Sequence, residues 1–207
     1  LVVAVLGACA GGQGAAGDDD CRPTEPERLQ PRVHRTTSHN TDAFTQGLVV
    51  HEGRLFESTG LEGRSSIREL DPDTGEVLRS MALTPDVFAE GLAVGAGGRL
   101  VQLTWTDGVA YEWEPDTFEV ARRFSYDGEG WGLSTLDDGT LVMSDGSDTL
   151  TFRAPEDFSV SDRRTIRRHG GPADQLNELE WDGQRLWANR YLTDEIVGID
   201  LECGTVV

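Results

Sequence analysis

The chain has 207 residues, of which 37 are Asp or Glu and 18 are Lys or Arg, for a formal net charge of −19. That length suits one domain with a substantial core, and a composition 37% apolar and 27% charged, with mean hydropathy −0.39, excludes both a lipid-spanning and a disordered chain. A sequence pI near 4.4 repels phosphate backbones and excludes nucleic acid as a partner; all 18 basic residues are Arg, so chemistry that needs a lysine amine is excluded as well.

In chain order, residues 1–9 (LVVAVLGAC) form an apolar run too short to span a bilayer, with neither an initiator Met nor a basic flank. They read as the remnant of a signal peptide. Leu6-Gly7-Ala8-Cys9 resembles the lipobox of bacterial lipoproteins, which makes Cys9 the expected lipidation site; an ordinary secretory signal with a chance Cys is the other reading. Residues 10–31 contain a Gly/Ala stretch, an Asp18-Asp19-Asp20 run and Pro23, Pro26 and Pro31, the composition of a flexible linker. Residues 32–207 remain for the folded part. With Cys9 lipidated, Cys21 and Cys203 form an even pair, present either as a disulfide or as two thiols. We therefore expect an exported protein, periplasmic or on the cell surface, that meets a membrane only through a lipid anchor.

The folded part repeats. TQGLVV (45–50), AEGLAV (89–94), GWGLST (130–135) and LNELEW (176–181) open four units, with Gly47, Gly91, Gly132 and Glu178 spaced 44, 41 and 46 residues apart. Each opening is followed by a second short run, GRLFES, GRLVQL, GTLVMS or QRLWAN, and a third, SSIREL, VAYEW, TLTFR or EIVGI. A turn of one type then follows: DPDTGEV, EPDTFEV, APEDFSV or DLECGTV. Short alternating runs punctuated by Gly, Asp and Pro are strands, and four strands per unit of about 40 residues is a β-propeller blade. The expected fold is all-β, a propeller of four-stranded blades, and a β-sandwich is the alternative. Repeat four stops at Val207 as its outer strand begins, and Arg32–Ser38 (RVHRTTS) is a candidate to supply the strand that closes the last blade.

In such a fold the first strand of each blade lines the channel, and the residues just before and within it face the mouth. They are Phe44 and Gln46, Phe88 and Glu90, Glu129 and Trp131, and Asn177 and Glu178; the second strands of repeats two and four end at Trp105 and Tyr191. Aromatics around carboxylates and amides suit a small, partly apolar ligand with polar ends. Taken singly, each aromatic reads as inter-blade packing, Glu129 as a turn residue and Glu178 as an arginine partner. Glu90, between Phe88 and an apolar strand, is costly to bury without a purpose. Asp71-Pro-Asp73-Thr-Gly75 lacks the Gly and Glu of a calcium loop and reads as a turn. Ser144-Asp145-Gly146-Ser147 reads as a tight hairpin rather than a cation site. His34, His39, His51 and His169 are scattered and expected on the solvent side.

AFTQGL (43–48), ESTG (57–60), FAEGL (88–92), QLTW (102–105), EGWGL (129–133), MSDGS (143–147) and LNELE (176–180), in this order, resemble the glutamine cyclotransferase family, the plant-type glutaminyl cyclases and their bacterial relatives. The resemblance runs from about His39 to Val207. It implies a five-bladed propeller that turns the N-terminal glutamine of peptides or proteins into pyroglutamate with release of ammonia, with no cofactor and no metal. By the family's FxEG motif, Glu90 is the implied catalytic proton shuttle. Gln46 and Asn177 are implied to bind the substrate amide, and Phe44, Phe88, Trp105, Trp131 and Tyr191 to wall the pocket; Tyr191 stands where the family usually has Trp. The family's fifth repeat carries a lysine of the site, so the four repeats here lead us to expect a piece of a longer protein. The implied partners are peptides or proteins with N-terminal glutamine, and we expect a monomer. A non-catalytic exported propeller that binds peptides through the same mouth is the alternative; a calcium-dependent propeller hydrolase built on Glu90, Glu129 and Glu178 is a third reading.

Overall fold

A computed structural model describes residues 21–207. The expected leader at 1–9, its Cys9 and the first part of the linker lie outside the described residues.

Among the described residues, eighteen strands make four sheets. Blade 1 is β1 (Thr45–His51), β2 (Arg54–Thr59), β3 (Ser66–Leu70) and β4 (Val77–Ala82), and blade 2 is β5 (Ala89–Val94), β6 (Leu100–Thr104), β7 (Val109–Trp113) and β8 (Val120–Ser125). Blade 3 is β9 (Leu133–Thr135), β10 (Leu141–Met143), β11 (Thr149–Arg153) and β12 (Val160–Thr165). Each is an antiparallel meander from inner to outer strand. Blade 4 has six strands: β15 (Leu176–Trp181), β16 (Leu186–Arg190), β17 (Ile196–Asp200) and β18 (Thr205–Val206), extended at its outer edge by β13 (Arg167–Arg168) and β14 (Gly171–Pro172). The architecture is the propeller of antiparallel blades that the repeats imply.

Burial falls from the axis outward. β5 and β6 are buried along nearly their whole length, whereas β4, β8 and β12 are almost wholly exposed. Apolar cores lie between the blades. Phe56, Ile67, Leu92, Leu100 and Trp113 join blades 1 and 2; Leu103, Phe124, Leu133 and Leu141 join 2 and 3; Val142, Leu150, Leu176, Leu186 and Ile199 join 3 and 4. Gly47 and Gly91 let the inner strands approach, since a Cβ there would lie 2.5 Å from Leu92 N and 2.6 Å from Leu133 N.

The third-to-fourth-strand turns carry a second device. Asp71 Oδ1 accepts from the backbone N–H groups of Asp73 and Thr74, so this segment is the turn read from the sequence. The fifth turn position has positive φ in all four repeats, at Gly75, Phe118, Phe158 and Gly204. Two phenylalanines tolerate that disfavoured backbone because both rings are buried, Phe118 against Phe56 and Phe158 stacked on Phe124. An arginine of the preceding blade then grips each turn: Arg79 donates to Pro115 O and Asp116 O, Arg122 to Glu156 O at 2.6 Å and Arg164 to Leu201 O.

The segment 32–38 departs from its expected place. It forms no strand; Arg35 instead donates to Pro72 O and pairs with Asp73, gripping the blade 1 turn as the other arginines grip theirs. The outer place in blade 4 is taken by β18, which pairs with β17 and, in parallel, with β13. Cys21 and Cys203 form a disulfide that ties the start of the described chain to blade 4.

Candidate functional site

The channel mouth is assembled from backbone that links successive strands and blades. Gly60 N donates to Phe44 O, Trp105 N to Phe88 O and Gly130 N to Trp105 O; on the far side Gln175 N donates to Gly146 O and Tyr191 N to Gln175 O. These bonds fix the aromatic residues at the rim. Phe44 meets Phe88 edge-on with centroids 6.2 Å apart, Phe88 meets Trp105 at 5.7 Å, and Trp131 meets Tyr191 at 5.3 Å. Phe44, Trp105 and Tyr191 nevertheless remain 50%, 41% and 47% exposed, an apolar rim left open to solvent.

Glu90 lies on β5 and is 6% exposed. Burial pushes its carboxyl up to about 8, against a hydrogen bond from the Gln46 side chain and with a further upward push from the Glu129 charge. Gln46 and the Phe88 ring come together over Gly60, whose missing Cβ would meet both. Glu129 is more than a turn residue: its Oε2 accepts from Trp105 Nε1 at 2.7 Å and from Trp131 Nε1 at 2.9 Å, holding two walls of the mouth with one carboxylate. The convergence of two indole N–H groups on one acceptor is a pairing that the repeat alignment does not display, although it does place all three residues at the mouth.

Asn177 lies half-buried on β15. Its backbone carbonyl accepts from Ser144 Oγ at 2.8 Å, the same hydroxyl that accepts from Gly132 N, so a fully buried serine couples blade 3 to the Asn177 main chain. Next to Ser144, Asp145 Oδ1 accepts from the backbone and hydroxyl of Ser147, which is the hairpin reading of MSDGS. Against expectation, His39 is not on the solvent side. It is half-buried and bonded at 2.7 Å to Glu57, which also accepts from Thr45 Oγ1 at 2.6 Å and so anchors the start of β1.

Among the described residues, no three His, Cys, Asp or Glu side chains gather so as to hold a metal ion; Glu90, Glu129 and Glu178 thus do not form the cluster that a calcium site would need. A cavity of about 200 Å³ lies farther along the inner strands, between Val49, Leu92, Val94, Leu133, Thr135 and Trp181, and none of the sequence-predicted site residues lines it. The mouth brings together Phe44, Gln46, Phe88, Glu90 and Trp105 on one side and Trp131 and Tyr191 on the other, with Glu129 between the two indoles.

The family model for glutamine cyclotransferase matches residues 1–207. A glutaminyl-peptide cyclotransferase of Arabidopsis thaliana is 36% identical over 171 residues, 82% of this chain and 53% of that protein, so the chain spans about half the length of this curated relative. The crystal structure of Myxococcus xanthus glutaminyl cyclase is 39% identical, with a TM-score of 0.78 over 85% of this chain and 74% of that one. A virginiamycin B lyase from Staphylococcus aureus, 12% identical with a TM-score of 0.56 over 83% of this chain and 57% of that one, shares the fold alone.

Proposed function

The chain belongs to the glutamine cyclotransferase family, and from that membership we propose that it converts the N-terminal glutamine of peptides and proteins to pyroglutamate with release of ammonia, without a metal ion and with Glu90 as the proton shuttle. The observation that carries this reading is a buried carboxyl, pushed up to about 8, between Gln46 and the aromatic rim.

The reaction needs the free α-amine to attack the γ-carboxamide carbon of the same residue. A C–N bond forms, the bond to the side-chain nitrogen breaks, and a proton passes from the attacking amine to the departing ammonia. An α-amine titrates near 7.7–8.0, so a carboxyl near 8 exchanges a proton with it at little cost in either direction. Glu90 takes that proton and returns it to the leaving nitrogen. The amides of Gln46 and Asn177 hydrogen-bond the carboxamide and polarise its carbonyl. Phe44, Phe88, Trp105, Trp131 and Tyr191 hold the side chain in the folded geometry the ring requires and exclude water. The acidic surface attracts the cationic substrate terminus. The Cys21–Cys203 bridge supports an exported location, with Cys9 as the lipid-bearing residue.

Ammonia release from a short peptide beginning with Gln, measured with a strong chelator present, tests this reading. Continued release supports it. Loss of release on chelation overturns the metal-independent chemistry, and peptide binding without release leaves a propeller that binds but does not turn over.

A further inference from the structure

Glu178 occupies an exceptional place in the repeat. At its equivalents, blades 1 to 3 carry Gly47, Gly91 and Gly132, and each glycine lies against the inner strand of the following blade. Gly47 faces Leu92 N, Gly91 faces Leu133 N, and Gly132 faces Asn177 and Glu178. Blade 4 breaks the pattern with the longest side chain that position holds. The Glu178 carboxyl extends to blade 1, where its Oε1 accepts from Leu48 N at 3.4 Å. Leu48 follows Gly47 as Leu92 follows Gly91 and Leu133 follows Gly132, so the same backbone N–H is met by a side chain instead of by apposed backbone.

This contact is poor as a source of stability. Glu178 Oε2 is shut off from solvent and has no hydrogen-bond partner among the described residues, burial drives the carboxyl well above the usual range, and Glu180 and Glu90 add to that push. Such a group costs more than an apolar side chain of the same shape, and groups kept at such a cost are characteristic of functional sites. Its neighbours in sequence supply the function. Glu178 adjoins Asn177, and Leu48 stands two residues from Gln46, the two amides proposed to hydrogen-bond the substrate carboxamide.

We propose that Glu178 is a positioning residue: its carboxyl is a strut across the channel that sets the separation of Gln46 on blade 1 from Asn177 on blade 4. The proposal rests on the glutamine cyclotransferase reading of the mouth. Glu178 touches no reacting atom. It acts by holding the two amides at the distance at which both reach one carboxamide, and a misplacement of about 1 Å is enough to cost about a hundredfold in rate.

The test compares the protein with Glu178→Gln, which keeps the acceptor for Leu48 N, and Glu178→Leu, which removes it and fills the space with apolar atoms. Three quantities are read: kcat and KM for ammonia release from a glutaminyl peptide, the thermal midpoint, and hydrogen exchange at the Leu48 amide. The expected result is a loss of about tenfold or more in kcat/KM for Glu178→Leu, with an unchanged or raised midpoint and faster Leu48 exchange. Glu178→Gln should restore the rate to within about threefold and the Leu48 protection with it. Equal activity in Glu178→Leu overturns the proposal, as does a Gln variant as impaired as the Leu variant. If Glu178→Leu fails to fold, Glu178→Gln decides alone: near-native rate and Leu48 protection support the strut, and loss of either refutes it. No turnover in the full-length parent protein would refute the cyclase reading itself, and Leu48 exchange would then separate a surviving strut from none.

Discussion

Glu69, on the third strand of blade 1, and Glu90, on the first strand of blade 2, are 9% and 6% exposed, yet the first is held down at about 2 and the second is pushed up to about 8. Their surroundings account for the difference. Glu69 accepts from Arg54 at 2.8 and 2.9 Å and from Arg79 at 2.6 and 2.7 Å, and both arginines go on to bond the blade 2 turn. Glu112 repeats this with Arg122 in blade 2. Glu90 has instead the Gln46 amide and the Glu129 and Glu178 carboxylates nearby, beside the aromatic rim. The outer margin uses its arginines to bind blade to blade, and the mouth keeps a carboxyl that no arginine partners among the described residues.

The sharpest way to break this contrast is to remove the unpaired acid. Glu90→Gln is expected to lower kcat/KM for ammonia release by about 10²–10⁴ while leaving the circular dichroism spectrum intact. The same variant should be more stable than the parent at pH 9. A carboxyl raised in the fold binds its proton more tightly there than when unfolded, so its contribution is present below the unfolded value near 4.5 and is lost as pH rises through about 8.

At the paired margin the expectation reverses. Arg79→Ala should cost about 1–3 kcal/mol in stability by leaving part of Glu69 unpartnered, with kcat unchanged. Glu69 has a depressed value, so its contribution is present above the unfolded value near 4.5 and fades as pH falls through about 2. Acid unfolding of Arg79→Ala, followed by tryptophan fluorescence, should therefore begin at a higher pH than in the parent.

Two changes at the rim refine the comparison. Glu129→Ala frees two indoles and should raise KM about fivefold, equivalent to roughly 1 kcal/mol, with a smaller effect on kcat. Tyr191→Phe keeps the ring that meets Trp131 edge-on and should change kcat/KM by less than about twofold, since ring packing supplies most of what that residue gives.

The blades were legible because propeller repetition writes itself into local sequence: Gly at the inner strands of the first three repeats, alternation along each run and a turn of one type. The mouth residues followed from their place in the repeat, and Glu90 stood out as a carboxylate set in an apolar frame. What stayed hidden depends on contacts between distant parts of the chain. Nothing in RVHRTTS distinguishes a strand in a ladder from a segment pinned by one arginine to Pro72 and Asp73. The short β13–β14 pair has two residues per strand, too few for any period to show. Cys21 and Cys203 could be counted but not paired. Glu129 appeared as a turn residue because its role needs two tryptophans 24 residues and 2 residues away to converge on one oxygen.

The proposed role of Glu90 in moving the proton during glutamine cyclisation is tested by kcat/KM for ammonia release from a glutaminyl peptide as a function of pH, for the parent protein and Glu90→Gln. The parent rate is expected to climb as pH rises through about 8, where Glu90 and the substrate amine lose their protons, and the folded variant to be nearly inactive at every pH. A folded Glu90→Gln protein with a rate within tenfold of the parent would contradict that role.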